Sequence, residues 1–181
     1  MTAALLMFIP LGAPTTETLP EVGEPAPVFR LRDLSGSMVR LDELAYPGKE
    51  KSWAKKRPIL LDFFRTDCRP CREALPELTA LYERYQGAGL EVLIIALLES
   101  ENGRSKLEEF LKESKLPFKV AIDESEHFTT RYLGKEAKLP ATFLLDREGR
   151  IVHLRRSGGP VANVFEPKIK ELLSAHSSEN E

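Results

Sequence analysis

The spacing of apolar residues changes near the middle of the chain, and this change predicts a strand followed by a helix. Residues 59–64 are apolar apart from Asp62, as expected for a central strand that is covered on both faces. Over residues 70–86, apolar side chains recur at intervals of three and four, which is the spacing of an amphipathic helix. Gly87 and Gly89 follow, and glycine is common where helices end.

The same reasoning extends the alternation of strands and helices in both directions. It predicts strands over residues 90–98, 118–122, 142–146 and 151–155, and helices over residues 102–115 and 126–132. A closing helix is predicted to carry Pro167 in its first turn and to run to about Ala175. A hairpin over residues 28–31 and 38–41, then a short helix with Asp42 as N-cap, precede the central strand. The pattern indicates an α/β fold: a central mixed sheet flanked by helices, with an N-terminal β-hairpin extension.

The two ends of the chain differ from the segment between them. Residues 3–13 form an apolar run of signal-peptide length with no preceding Lys or Arg, too short to span a membrane as a helix. We interpret it as an export signal or anchor, or else as an arm that packs on the domain, and favour the first. We expect an apolar segment and linker over residues 1–21, one domain over residues 22–175 and a disordered tail over residues 176–181.

Composition and charge narrow the class of protein. The chain has 181 residues, of which 42% are hydrophobic, enough for one domain with a full core. Its net charge of −2 provides no general attraction for nucleic acid or for an anionic membrane. A basic insertion over residues 46–57 contains the only tryptophan, Trp53, and is interpreted as a solvated loop or a docking surface near the cysteines.

The chain's two cysteines, Cys68 and Cys71, lie at the predicted turn between the central strand and its helix. Two thiols three residues apart form a redox pair, part of a metal site or two inert thiols. The N-terminal amides of a helix favour a thiolate, so this position favours disulfide exchange. In an alternating strand–helix pattern, Cys-x-x-Cys is typical of a thioredoxin-like redox motif.

Three separated motifs carry a more specific resemblance. They are LLDFFRTDCRPCREALPEL around the cysteines, GEPAPVFRLRDLSGSMVRLDEL before them and LPATFLLDREGRIV after them. The chain resembles the thioredoxin superfamily over residues 22–175, and most closely its TlpA/ResA-type thiol–disulfide oxidoreductases, of the AhpC/TSA-redoxin type. This resemblance implies a thioredoxin-like fold and exchange with protein disulfides through a mixed disulfide, without a bound cofactor.

The resemblance also implies roles for individual residues. Cys68 would attack and Cys71 would resolve the mixed disulfide. The peptide bond before Pro140 would be cis, so that Leu139 and Pro140 form a wall for the incoming disulfide. Asp62 matches the acid that exchanges a proton with the resolving cysteine. Its apolar neighbours independently favour burial over exposure at a strand edge, and burial would raise its pKa towards neutrality.

The sequence departs from the family beside the cysteines. Asp67 replaces the usual tryptophan and opposes a thiolate at Cys68, whereas the cation of Arg69 favours one. Pro70 completes the pair of residues between the cysteines. These residues and Leu139 are expected to contact the partner or tune the thiol. The direction of exchange therefore stays open.

Other functions were weighed against disulfide exchange. A peroxiredoxin would share the fold, but Arg65 occupies the position of its usual threonine. A soft-metal (copper) chaperone would use both thiolates, although no histidine has regular spacing to them, so no metal ligand is assigned. A redox-inactive interaction domain is the third alternative. Glu99, which follows the second central strand, is interpreted as a surface acid rather than a site residue.

The expected partners are protein thiols and disulfides, together with a reductase or membrane electron donor that recycles the pair. No nucleic acid is expected, and membrane association would occur through the N-terminus. We expect an exported, periplasmic location or a membrane-anchored one that faces outward, with a cytoplasmic location as the alternative.

Overall fold

The computed structural model describes residues 18–45 and 56–177, with only the backbone described for residues 175–177. The predicted apolar run over residues 3–13, nearly all of the basic insertion with Trp53, and the last four residues of the predicted tail lie outside the described residues. Within the described ranges, no helix has the length and apolar character needed to cross a membrane.

Seven strands and five α-helices are present in the described residues. The strands are β1 (Arg30–Arg32), β2 (Met38–Arg40), β3 (Ile59–Phe64), β4 (Glu91–Leu97), β5 (Lys119–Asp123), β6 (Ala141–Leu145) and β7 (Ile151–Arg155). The helices are α1 (Leu41–Leu44), α2 (Arg69–Tyr85), α3 (Gly103–Ser114), α4 (His127–Leu133) and α5 (Ala162–Ser177).

The strands form one mixed sheet in the order β2-β1-β5-β4-β3-β6-β7. Strands β3, β4 and β5 are parallel, whereas β6 runs antiparallel to β3 and β7 runs antiparallel to β6. Strands β1 and β2 form the predicted antiparallel hairpin at the other edge. The prediction of an α/β fold with a central mixed sheet and an N-terminal hairpin is confirmed.

The two faces of the sheet are covered by separate apolar clusters. Leu61 and Phe63 of β3 pack in one cluster, together with residues of β1, β6 and α4. Leu60 and Phe64 point to the opposite face, where they pack with Cys71 of α2 and with side chains of α5. All six residues of β3 and all seven of β4 are buried, as their apolar sequences predicted.

Two helix starts differ from the predictions. Pro167 lies inside α5, which begins at Ala162. At its other end, α5 extends to Ser177, which includes the first two residues of the predicted tail. Asp42 does not cap α1, because the N-cap is Arg40 and Asp42 lies in the first turn. Its carboxylate instead accepts a hydrogen bond from Arg40 Nη2 at 2.8 Å. Both predicted helix starts were wrong.

The start of α5 is held by a side chain from α2. Glu77 Oε2 accepts hydrogen bonds from the backbone N–H groups of Val161, at 2.7 Å, and Ala162, at 2.8 Å. The first N–H groups of a helix have no partner within the helix, so an acceptor there stabilises it. No local capping pattern predicts this contact, because 84 residues separate Glu77 from Val161.

Replacement of Glu77 by alanine should lower the free energy of unfolding by about 1–2 kcal/mol, since it leaves two N–H groups without their acceptor. Urea denaturation measures this change. Glu83→Ala is the matched control, because Glu83 lies on the exposed side of the same helix. An equal loss of stability in both variants would contradict the capping role of Glu77.

Candidate redox site

Cys68 and Cys71 form a disulfide at the junction between β3 and α2, with their Cα atoms 5.3 Å apart. Cys68 is the N-cap of α2 and is partly exposed, whereas Cys71 is completely buried. The backbone N–H of Cys71 donates to Cys68 Sγ at 3.2 Å. The sulfur at the helix start is therefore the more exposed of the two, and it lies against a partial positive charge.

The turn before Cys68 is held by Glu99, which follows β4, and by Arg72 of α2. Thr66 Oγ1 donates to Glu99 Oε2 at 2.5 Å, and Arg72 Nη1 donates to the Thr66 carbonyl at 3.1 Å. Lys106 of α3 forms an ion pair with the other oxygen of Glu99 at 2.8 Å. These bonds from Lys106 and Thr66 lower the pKa of the Glu99 carboxyl. Glu99 thus holds the turn that precedes Cys68, a contact that its interpretation as a surface acid did not predict.

The sequence feature that could have identified Glu99 is its position after a predicted strand, not the residues beside it. It lies two residues beyond the carboxyl end of β4, and functional groups collect at such strand ends in α/β sheets. Its partner Thr66 follows the parallel strand β3. The sequence does not give the register of these two strands, so it could not show which polar side chains at this edge are in contact.

The two unusual charges beside Cys68 are each engaged locally. Arg65 Nε donates to Asp67 at 2.6 Å, and the Asp67 side chain is half exposed. The side chain of Arg69 is 82% exposed and pairs with Glu73 one helical turn further on, at 2.8 Å. Each charge therefore has a counterion, and exposed ion pairs of this kind are screened by solvent. The effects expected from Asp67, which opposes a thiolate at Cys68, and from Arg69, which favours one, are accordingly weakened.

Three chain segments meet beside the disulfide. The Leu139–Pro140 peptide bond is cis, Pro140 is buried and Leu139 contacts the apolar clusters on both faces of the sheet. A Cβ atom at Gly158 would lie 3.7 Å from Pro70 Cβ and 3.9 Å from Pro140 Cδ. The turn after β7 thus borders the site together with Pro70 and Pro140. Gly158 was missed by sequence reasoning, since a lone glycine in a loop has no distinctive pattern.

Asp62 is completely buried in the middle of β3. It alternates with Leu60 and Phe64, so its side chain lies on the face of the sheet that α2 covers with Cys71. Thr142 Oγ1 donates to Asp62 Oδ1 at 2.6 Å, while Oδ2 has no hydrogen-bond partner among the described residues. Burial raises the pKa of Asp62 to about 7, against the smaller lowering effects of the Thr142 hydroxyl and the Arg155 charge.

Two of the three histidines pack against aromatic rings. His127 packs edge-on against Phe128, and His153 packs edge-on against Phe165. Within residues 18–45 and 56–177, no group of three or more His, Cys, Asp or Glu side chains has the geometry to hold a metal ion.

Comparison with known proteins adds independent information. Residues 22–154 match the model of the AhpC/TSA family. The thiol-disulfide oxidoreductase ResA of Bacillus cereus is 30% identical over 132 residues, which cover 73% of this chain and 68% of that protein. ResA of Geobacillus thermodenitrificans is 33% identical over 137 residues, covering 76% and 70% of the two chains.

A solved structure supports the fold. The solution structure of a thiol:disulfide interchange protein from Bacteroides sp. superimposes with a TM-score of 0.65 at 22% identity, over 83% of this chain and 91% of that chain. The match to the family model spans the hairpin, the cysteine pair and the strand after Pro140. We conclude that the chain belongs to the AhpC/TSA family, as a ResA-like thiol–disulfide oxidoreductase of the thioredoxin superfamily.

Proposed function

We propose that the protein exchanges its Cys68–Cys71 pair with disulfides of other proteins, with Cys68 as the attacking sulfur. The observation that carries this assignment is the difference in burial between the two sulfurs. Cys68 is partly exposed at the start of α2, and Cys71 is completely buried behind it. An incoming disulfide reaches Cys68, whereas Cys71 attacks only Cys68 Sγ, once that sulfur carries the partner.

The reduced protein acts in two steps. The Cys68 thiolate attacks the partner disulfide, so one partner sulfur leaves as a thiolate and the other becomes bound to Cys68. Cys71 then loses its proton and attacks Cys68 Sγ. The mixed disulfide breaks, the second partner thiolate leaves and the Cys68–Cys71 disulfide forms. Two electrons have passed from the protein to its partner, and the reverse sequence oxidises a partner dithiol.

Asp62 is the proposed acceptor of the Cys71 proton. It lies on the same face of the sheet as Cys71, and its pKa of about 7 suits proton transfer near neutral pH. Its unpartnered Oδ2 oxygen is available to receive the proton. The thiol of Cys71 needs such a group because bulk water does not reach a completely buried sulfur.

The partner is proposed to lie against the three segments that border Cys68. Leu139 and Pro140 form one wall, and Gly158 extends it towards Pro70. Asp67 and Arg69 are exposed on the remaining side, so they are placed to contact polar groups of the partner. The apolar wall would hold the extended chain around a disulfide, and the charged side would select among partners.

Two further aspects of the proposal concern the cellular setting. The apolar run over residues 3–13 supports export to the periplasm or outward-facing membrane attachment. A reductase or membrane electron donor would then return the cysteine pair to its dithiol form, because each exchange with a partner disulfide leaves it oxidised.

Replacement of Cys71 by serine should trap partners covalently on Cys68, because the mixed disulfide can no longer be resolved. The measurement is non-reducing electrophoresis of the purified variant after reaction with a disulfide-containing model protein. Cys68→Ser is the control, and it should trap none because its remaining thiol is buried. Equal trapping by both variants would contradict the assignment of Cys68 as the attacking residue.

Replacement of Asp62 by asparagine should slow the resolution step at pH 8 by about 100-fold, the lower end of what general bases contribute, and leave the attack by Cys68 unchanged. In the wild type the resolution rate should rise through pH 7, as Asp62 ionises, and this inflection should be absent from the variant. Stopped-flow measurement of the two phases tests this. An unchanged inflection in the variant would rule out Asp62 as the proton acceptor.

The same variant gives a check that does not depend on activity. Because the pKa of Asp62 is raised in the folded protein, ionisation favours unfolding, and stability is lost as the pH rises from about 4 through 7. Asp62→Asn should lack this loss, which amounts to at most about 4 kcal/mol. Urea denaturation at pH 4 and pH 8 measures the difference.

A further inference from the structure

Three polar residues cross the sheet in one row beneath α2 and α5. Asp62 of β3 is paired with Thr142 of β6, and Thr142 is paired with Arg155 of β7. Residues directly opposite each other on neighbouring strands point to the same face of a sheet. Adjacent strands are separated by about 4.8 Å, so the Cα atoms of Asp62 and Arg155 are about 10 Å apart, within reach of an arginine side chain.

The guanidinium of Arg155 lies on the face that carries the cysteines. Its central carbon is 5.9 Å from the ring centre of Phe165, which packs in the same apolar cluster as Cys71. The neighbouring Arg156 lies on the other face, where its guanidinium is 5.5 Å from the ring centre of Phe143. Two consecutive arginines therefore place the same charge on opposite sides of the sheet.

Both ends of the row contain buried polar atoms without partners. Arg155 Nη1 donates to the carbonyl of Pro160, but its Nε and Nη2 atoms are buried and have no hydrogen-bond partner in the part of the chain that the structure describes. At the other end, Asp62 Oδ2 is also buried and has no hydrogen-bond partner among the described residues. Thr142 lies between them and gives its hydroxyl hydrogen to Asp62. Opposite charges in such an apolar interior interact over longer distances than they would in water.

The remaining neighbours of Asp62 supply little competing charge. Strand β4 places Ile94 beside it, and α5 contributes Phe165 to the cluster. Helix α2 contributes Cys71, the proposed proton donor, while the carboxylate of Glu77 is bound to the start of α5. His153 of β7 also packs on Phe165. The charge of Arg155 lowers the pKa of Asp62 from the value that burial alone would produce.

We propose that Arg155 is a positioning residue of the exchange reaction, whose guanidinium favours the ionised form of Asp62 across the row. The inference rests on the proposed function of Asp62 and extends it. In the step concerned, the S–H bond of Cys71 breaks and its proton passes to the Asp62 carboxylate. The Cys71 sulfur then bonds to Cys68 and the partner thiolate leaves. Arg155 touches neither sulfur and acts through Asp62.

The experiment follows both steps in the full-length reduced protein with 5,5′-dithiobis(2-nitrobenzoate) as the probe. Attack by Cys68 releases the first thionitrobenzoate and resolution by Cys71 releases the second, so the two rates are read from one absorbance trace at each pH. The variants are Arg155→Met, Arg155→Lys as the conservative replacement, and Arg156→Met as the matched control on the opposite face. A carboxyl ¹³C NMR titration of the reduced proteins reports the ionisation of Asp62 directly.

Arg155→Met should move the midpoint of the resolution rate and of the Asp62 titration upward by about 0.5–1 pH unit, because the carboxylate loses a favourable charge. Arg155→Lys should restore most of the wild-type midpoint, and Arg156→Met should leave it unchanged. In an Asp62→Asn background, Arg155→Met should no longer alter the pH dependence of resolution. Urea denaturation of each variant confirms that the comparison is between folded proteins.

Two outcomes separate this inference from the proposal on which it rests. If Arg155→Met leaves the Asp62 midpoint in place while Asp62→Asn abolishes the inflection, the role of Arg155 is overturned and the function of Asp62 stands. If Asp62→Asn retains the wild-type inflection, the proton-transfer role of Asp62 fails, and the role inferred for Arg155 in the reaction fails with it.

Discussion

Burial of a carboxyl group in the central strand is the constraint on which the site depends. Strand β3 is covered on both faces, so Asp62 has no access to solvent, and a charge there is costly. This cost raises the pKa of Asp62 to about 7 and makes the group able to exchange a proton at neutral pH. The Thr142 hydroxyl and the more distant Arg155 reduce the cost without removing it. The same burial that stabilises the sheet thus gives the carboxyl the raised pKa on which its proposed role in proton transfer depends.

The cysteine pair depends on a second consequence of the same packing. Helix α2 follows β3 after a short turn and packs on the sheet, so one turn of helix separates a partly exposed sulfur from a buried one. Side chains from distant elements hold the surrounding turns in place. Glu99 binds Thr66 before the cysteines, and Glu77 binds the start of α5 beyond the turn that contains Gly158. The groups that react are few, but their positions require contacts from most of the domain.

Sequence predictions were accurate where local patterns determine the structure and wrong or incomplete where contacts between distant residues determine it. Strands β3 and β4 and helix α2 were predicted closely, because continuous apolar runs and a helical repeat are local patterns. The start of α5 was wrong, since it is determined by Glu77 from another helix. Asp42 was wrong as a cap, because α1 begins at Leu41 and its N-cap is Arg40. The role of Glu99 was not predicted, because its partners Thr66 and Lys106 come from separate segments of the chain.

The sequence by itself determined the fold class, the location of the cysteine pair at a strand–helix junction and the burial of Asp62 among apolar neighbours. These follow from periodicity and composition within short windows, where local chain geometry decides which side chains share a face. Only the tertiary structure decided that Asp62, Thr142 and Arg155 form one row and that Gly158 meets Pro70 and Pro140. The physical reason is that strand register and loop packing decide these pairings, and no local pattern specifies them. Asp62 and Thr142, for example, are 80 positions apart in the sequence.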